Sequence, residues 1–344
     1  MWVAAARFLR EQGVETHIVA TIPELGPYAK NMRAAGFVVH HIPHRRGSHF
    51  DFGYCWRLCR FLKASRFDAV QVHPEGWRFV HCVICRLSGV RSVVTTIHNV
   101  FAYGAWRKFR RCLQMRMLRG LGIRIVACGE TVQRNEMRYG YEPNLVWNWI
   151  DTSRDAIGGL TRGDLGLSRE KKVMVCVGNC SVIKNHLFLF DVLMKLPEDW
   201  VLLHIGCEDT KQTERVEVAR LGLADRVYFL GRRNDIPDLL ALSDVFVMPS
   251  LREGFSISCL ESMAMGVPAV VAASPGLMDT ASRFDLCRAC ELNAEAFAQE
   301  VIERASLSSE RLSESRCQAQ MVLKSTFDMR ANVGQYIGLW LSSQ

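Results

Sequence analysis

The feature that most narrows the possible folds is a rhythm. Short β-branched runs, "VETHIVAT", "FVVHHIP", "DAVQVHP", "SVVTTIHN", "RIVACGE" and "NLVWNWID", recur between residues 14 and 151, separated by longer amphipathic stretches. That alternation is the signature of βαβ units and a parallel sheet. The segment "DTSRDAIGGLTRGDLGLSREK", residues 151–171, breaks it with Gly, Ser, Asp and Arg and reads as a linker. The rhythm then resumes with "KVMVCVGN", "WVLLHIGC", "RVYFLGR", "VFVMPS" and "PAVVAA". With 344 residues, 49% of them apolar, the chain has material for two cores. The expectation is two doubly wound α/β domains, residues 1–150 and 151–326, with a helix over about residues 327–344 returning to the first.

The amino end departs from that plan. "MWVAAARFLREQGVE" is a helical pattern that stops at Gly13, before any strand. In a doubly wound domain the first strand lies centrally, and the turn after it carries the glycines that approach a ligand phosphate. Both are missing here. The favoured expectation is a chain that begins downstream of that strand; the alternative is an unusual circular order.

Charge is uneven. Residues 1–150 hold 22 Lys+Arg against 9 Asp+Glu, a balance of +13; the remainder of the 43 and 35 leaves 21 against 26, or −5. A basic half favours an anionic partner: nucleic acid, a phosphorylated acceptor or a membrane surface. The 13 cysteines follow no close-spaced framework and many sit in apolar runs, which reads as reduced, buried thiols of a cytoplasmic protein. Two CxxC pairs, Cys82/Cys85 and Cys287/Cys290, lie about 200 residues apart without knuckle glycines, and no metal site is expected from them. No apolar run has transmembrane length, so membrane contact is expected to be peripheral.

The chemistry concentrates in two stretches. In "REGFSISCLESMAMGVPAVV", residues 252–271, Glu253 and Glu261 flank seven small and apolar residues, after a strand ending at Ser250. With a helix expected from near Ser258, the residues Gly254, Phe255, Ser256 and Ile257 form a turn at the carboxyl edge of the sheet, where open α/β sheets bind ligands. Backbone N–H groups of such a turn and of the helix start suit a diphosphate. Plainer roles are available: Ser258 and Glu261 fit the S-x-x-E capping box, and Glu253 fits an ordinary loop acid. In "VCVGNCSVIKNH" a turn opens at Gly178 and Lys184 precedes a helix starting near His186. A lysine there meets a phosphate with about 4 kcal/mol of gross attraction at ~4 Å and an effective dielectric of about 20; the alternative is a solvated lysine at a helix start.

Taken together, "VGNCSVIKNH", "DVFVMPS", "REGFSISCLESMAMGVPAVVA" and "VWNWID" resemble the retaining, nucleotide-sugar-dependent glycosyltransferases of family 4, from about Ala4 to the carboxyl end. The resemblance implies the GT-B fold, two Rossmann-like domains facing across a cleft, and assigns roles by position. Lys184 would contact the donor diphosphate and Glu261 the ribose hydroxyls. Gly254 to Ile257 would meet phosphate and sugar through backbone N–H groups, and Glu253 would hold sugar hydroxyls beside the anomeric carbon. Gly178 and Asn179 open the donor turn, Asn179 standing where many relatives have Arg. His98, at the end of "TTIHN", resembles the histidine that reaches the donor sugar, with His73 a lesser candidate on the acceptor side. Trp149 replaces the glycine of the usual Asn-Gly-Ile-Asp linker motif.

The implied activity is transfer of a hexose-type sugar, with retention, from a nucleotide-sugar such as a UDP-sugar to a saccharide or lipid-linked acceptor in surface or exopolysaccharide biosynthesis. A lysine and a helix terminus can stabilise the leaving diphosphate without a metal, and no cofactor is expected. The competing readings are a non-catalytic nucleotide-sugar binder or truncated inactive fragment and, less favoured, a nucleotide-sugar epimerase. The basic run over residues 106–124 places Arg107, Lys108, Arg110, Arg111, Arg116 and Arg119 among Trp106, Phe109, Leu113 and Leu118. As an amphipathic helix it can lie on the inner, anionic face of a membrane; nucleic acid is not expected, because the aromatics form no stacking platform.

Overall fold

The computed structural model describes residues 1–45, 51–101, 103–152 and 158–342. The chain divides into two units, Met1–Asp151 with Asp328–Gln344, and Thr152–Phe327. The first unit opens with α1 (Trp2–Glu11), followed by β1 (His17–Ala20), α2 (Ala29–Ala34), β2 (Val38–His41), α3 (Phe52–Ser65) and β3 (Ala69–Val72). It continues through α4 (Arg78–Leu87), β4 (Ser92–Ile97), α5 (Ala105–Gly120), β5 (Arg124–Ala127), α6 (Glu130–Met137) and β6 (Asn144–Leu145).

Every strand pair in this unit is parallel, but the strands fall into two sheets, β1-β2 and β3-β4-β5-β6. Among the described residues no ladder joins β1 to β3. One apolar cluster spans both pieces: Ala5, Ala6 and Leu9 of α1 pack with Phe37, Val94, Val126 and Trp149, and Ile18 and Val39 lie against them. The helix α1 earns its place by periodicity, since its buried side chains Ala5, Ala6 and Leu9 share one face.

The second unit runs β7 (Lys172–Val177), α7 (Leu187–Lys195), β8 (Trp200–Ile205), α8 (Thr213–Arg220), β9 (Val227–Gly231) and α9 (Ile236–Ala241). Then come β10 (Val245–Met248), α10 (Ile257–Ala264), β11 (Ala269–Ala272), α11 (Leu277–Ala281), β12 (Cys287–Cys290), α12 (Ala294–Ala305) and α13 (Ser309–Thr326). Its six strands form one parallel sheet in the order β12-β11-β10-β7-β8-β9. Numbered within the unit that is the doubly wound order 3-2-1-4-5-6, read from β9, and the order reverses between β7 and β10. The strands read as unbroken apolar runs because both faces are covered: β8 and β10 are buried at every residue.

The last helix, α14 (Met329–Leu341), is capped by Asp328, whose carboxylate accepts from the Ala331 N–H, and belongs to the first unit. Its Val333 and Tyr336 are buried, and the Tyr336 and Thr96 hydroxyls are 3.0 Å apart. The linker partly lies outside the described residues, at 153–157.

Candidate active site

In an open parallel sheet, the segments leaving the two strands on either side of an order reversal diverge and leave a crevice at their carboxyl ends. Here those strands are β7 and β10, and the segments are the Gly178 turn and the loop through Glu253. The two are tied together by backbone. The Leu251 N–H donates to the Ile183 carbonyl at 2.9 Å, and the Ser258 hydroxyl donates to the Val177 carbonyl at 3.3 Å. Asn185 takes a left-handed conformation, φ 55°, which Asn tolerates better than most residues, and its amide donates to the Pro249 carbonyl at 3.3 Å.

Within this frame Lys184 and Glu253, sixty-nine residues apart in sequence, form an ion pair of 2.7 Å. Both are mostly shielded, their side chains 26% and 14% exposed. The lysine lies over Gly178: a Cβ there would come within 3.5 Å of Lys184 Cδ and Cε. An anionic ligand at this edge therefore finds a lysine already positioned, with its charge partly held by Glu253.

Two glycines that sequence reasoning passed over let these segments approach. A Cβ on Gly206, which follows β8, would stand 2.0 Å from the Gly178 carbonyl oxygen. A Cβ on Gly276, φ 82°, would stand 2.2 Å from the Glu253 carbonyl oxygen. The Glu253 N–H donates to the Pro275 carbonyl at 2.9 Å, and the Ser274 hydroxyl to the Ser250 carbonyl at 2.7 Å, so the segment after β11 buttresses the Glu253 loop. Glycine before a helix was the available signal in "SPGLMD", and glycine after a strand in "LLHIGC".

The remaining residues expected to meet the donor divide. Gly254, Phe255 and Ser256 are buried; the Phe255 ring stacks on Phe327 at 5.2 Å, so this residue can offer a ligand its backbone only. The helix begins earlier than expected. Ser256, not Ser258, is the N-cap of α10, its hydroxyl accepting from the Cys259 N–H at 3.2 Å. Ile257 is then the first helical residue and Glu261 falls in the second turn, which overturns the capping-box reading of Ser258 and Glu261. The Ser258 hydroxyl instead donates to the Val177 carbonyl and lies 3.3 Å from the Ser256 hydroxyl, leaving Ser256 to satisfy the helix start. Asn179 turns toward the next strand, its side-chain oxygen accepting from the Cys207 N–H at 2.9 Å. The CxxC pairs do not gather: Cys82/Cys85 and Cys287/Cys290 lie in different units, and among the described residues neither enters a cluster of metal-ligand spacing.

In the first unit, the carboxyl ends of β3 and β4 bring His73 and His98 together. Their rings stack, with His73 Nδ1 and His98 Nε2 2.8 Å apart. Glu75 accepts from the His98 N–H at 3.0 Å and pairs with buried Arg78. Burial, with its neighbour His98 and then Arg78, lowers His73 to about 3; burial outweighs Glu75 and lowers His98 as well. Both imidazoles are therefore neutral at pH 7, suited to hydrogen-bonding hydroxyls rather than to pairing with phosphate.

The basic helix α5 is two-faced. Arg111 is buried with Met115 and Leu118, and donates to Glu136 at 2.8 Å, the carboxylate being fully buried and its pKa raised chiefly by that burial. Arg111 and Leu118 are thus removed from the expected surface, because their spacing with Met115 is the inward stripe of the helix. Trp106, Phe109, Leu113 and Met117 are exposed at the same helical spacing, between exposed Arg107, Lys108, Arg110, Arg116 and Arg119. No helix of the described residues is long and apolar enough to cross a membrane.

Comparison with known proteins places these observations in a family. Residues 2–154 match the description "Glycosyltransferase Family 4" and residues 160–316 the description "Glycosyl transferases group 1". A UDP-Gal:alpha-D-GlcNAc-diphosphoundecaprenol alpha-1,3-galactosyltransferase of Escherichia coli is 29% identical over 237 residues, 62% of this chain and 60% of that protein. An N-acetyl-alpha-D-glucosaminyl L-malate synthase of Bacillus anthracis is 23% identical over 83% of this chain and 77% of its own. Among solved structures, a glycosyltransferase of Rickettsia africae superposes with a TM-score of 0.80 at 18% identity, over 98% of this chain and 92% of that one. Anabaena Alr3699/HepE in complex with UDP-glucose gives 0.76 at 17% identity, over 98% and 93%. With one family description on each parallel-sheet unit, and the second unit's sheet reversing its strand order where Lys184 meets Glu253, the chain belongs to the GT-B glycosyltransferases of family 4 type.

Proposed function

We propose that the protein transfers a hexose-type sugar, with retention of anomeric configuration, from a nucleotide-sugar, a UDP-sugar foremost, to a saccharide or lipid-linked acceptor in surface-polysaccharide assembly. The observation that carries this reading is the Lys184–Glu253 pair at the strand-order reversal. Its two groups suit the two halves of such a donor: the ammonium suits the diphosphate, and the carboxylate suits hydroxyls of the sugar. Relatives support the donor and acceptor classes. The Escherichia coli protein is named for a UDP-sugar and a diphosphoundecaprenol-linked acceptor, and the Anabaena protein was solved with UDP-glucose.

In this account the diphosphate sits against Lys184, the Gly178 and Asn179 turn and the N–H groups of Gly254, Phe255, Ser256 and Ile257, and Glu261 takes the ribose hydroxyls. As the anomeric C–O bond breaks, its electron pair goes to a phosphate oxygen. Lys184 and the start of α10 stabilise that charge, so the step needs no divalent ion. The acceptor oxygen forms the new bond on the same face and its proton passes to the departing phosphate. Glu253 fixes the sugar hydroxyls, and neutral His98 offers a further hydrogen-bonding group for a hydroxyl. The exposed stripe Trp106, Phe109, Leu113 and Met117, flanked by arginines, supports peripheral attachment of α5 to the anionic inner face of a membrane, where a lipid-linked acceptor resides.

A panel of nucleotide-sugars tests the reading. One donor class is expected to raise the melting temperature and to be slowly hydrolysed when no acceptor is added. A panel in which no nucleotide-sugar is bound or hydrolysed contradicts it.

A further inference from the structure

Behind the Gly178 turn lies a second set of chemistry-bearing side chains that the transfer reaction does not use. Cys180 stands in the turn after β7, His186 at the N-cap of α7, His204 within β8 and Glu214 in the first turn of α8. Their ligand-capable atoms converge. His204 Nε2 is 3.1 Å from His186 Nδ1 and 3.6 Å from Cys180 Sγ, and the three atoms lie within 4.8 Å of one another. Glu214 Oε1 is 4.0 Å from the same His186 nitrogen. Around a tetrahedral zinc with bonds of about 2.0–2.1 Å to nitrogen and about 2.3 Å to sulfur, N···N is about 3.3 Å and N···S about 3.6 Å. The separations among Cys180, His186 and His204 are those of ligands around an ion, and the Glu214 oxygen must close by about 0.6 Å to complete the set.

A second observation concerns charge. Glu214 is 5% exposed, and its Oε2 has no hydrogen-bond partner among the described residues. A buried carboxylate without a cation is costly. The nearby basic groups are committed elsewhere, Lys184 to Glu253 and Arg215 to Glu208.

We propose that Cys180, His186, His204 and Glu214 form a structural site for one zinc ion, holding the Gly178 turn against β8 and α8. The donor set, one thiolate, two imidazoles and one carboxylate, is of the kind zinc prefers over magnesium or calcium. Four protein ligands close the coordination sphere, as in structural rather than catalytic zinc sites. The half-buried Cys180 gives the ion a route from solvent. The ion's effect on transfer is indirect: His186 and Lys184 flank the same turn, and a Cβ on Gly178 would lie within 3.6 Å of both side chains. Zinc binding is read without any donor substrate, so the proposal stands or falls separately from the reading of Lys184 and Glu253.

The test is metal content of the purified full chain by plasma mass spectrometry after loading with zinc alone and exhaustive dialysis, followed by cobalt substitution. One zinc per chain is expected, and its removal by a chelator lowers the melting temperature. The cobalt form should show visible d–d bands with a thiolate-to-metal charge-transfer band. Cys180→Ser should lose the charge-transfer band while keeping d–d absorption, and His204→Gln should lose stoichiometric metal. Because Cys180→Ser is read by its spectrum, a folding defect in His204→Gln leaves the test intact. Substoichiometric zinc in the loaded native chain, or a charge-transfer band of native strength in Cys180→Ser, overturns the proposal.

Discussion

A methyl group at Gly206 is the sharpest probe of how the proposed donor side is assembled. A Cβ at this residue would lie 2.0 Å from the Gly178 carbonyl oxygen, 2.5 Å from its carbon and 3.0 Å from the Asn179 nitrogen, all backbone atoms. Ordinary C···O contact is about 3.3 Å, so the Gly178 turn must retreat by about 1.3 Å or β8 must bend. The Gly206 φ of 154° adds backbone strain. Overpacking and strain each cost about 1–3 kcal/mol, which puts Gly206→Ala at about 2–6 kcal/mol of stability. The displaced turn carries Lys184, and a misplacement of about 1 Å can lower turnover by about 100-fold. The assay is urea unfolding with titration of UDP, using Gly222→Ala as a control: Gly222 has φ 69° but nothing within 4 Å of a Cβ. The control isolates backbone strain and should leave UDP binding unchanged. If Gly206→Ala matches Gly222→Ala in both stability and UDP affinity, close approach of β8 to the Gly178 turn is not what forms the site.

Three further outcomes follow from the same geometry. Lys184→Met should weaken UDP binding by about 10- to 100-fold, the loss of one charge-assisted contact worth about 1.5–3 kcal/mol, as read by calorimetry. Acid should destabilise the first unit through His73 and His81, whose folded values are held at about 3 and about 4, chiefly by burial. The unfolded chain binds these protons near pH 6.5, so stability is complete above that pH. It falls by up to ~1.4 kcal/mol per pH unit per histidine between there and the folded values, which unfolding at pH 7 and pH 5 measures. Paired Trp106→Ser and Phe109→Ser changes should reduce binding to vesicles containing anionic lipid while leaving donor hydrolysis in solution at its native rate; vesicle sedimentation decides.

Periodicity carried the fold a long way. "KVMVCV" and "VFVM" read as buried parallel strands, and they are the pair that flanks the order reversal. Spacing also marked Gly178, Lys184 and Glu253, because strand-end turns keep their ligand-facing groups close in sequence to the strand. What the sequence could not display is anything set by contact between distant segments. The Lys184–Glu253 pair itself, the His73–His98 pair and the Arg111–Glu136 pair join residues 69, 25 and 25 positions apart. Gly206 and Gly276 are demanded by neighbouring backbone, not by local pattern. The capping-box spacing pointed to Ser258, and it is the Val177 carbonyl, distant in sequence, that engages Ser258 while Ser256 caps the helix. Cys180, His186, His204 and Glu214 carry no motif spacing, since three separate elements and a turn must fold before they meet.

The central claim is that Glu253 serves the transferred sugar while Lys184 serves the nucleotide. Glu253→Ala, assayed in parallel for donor hydrolysis and for UDP affinity, separates the two. Turnover is expected to fall by about 100-fold or more, on the scale of losing one group that orients the reacting centre. UDP should bind at least as tightly as to the native protein, because Lys184 no longer shares its charge with the 2.7 Å carboxylate. Native turnover in this variant, or loss of turnover only in proportion to lost UDP binding, contradicts the account.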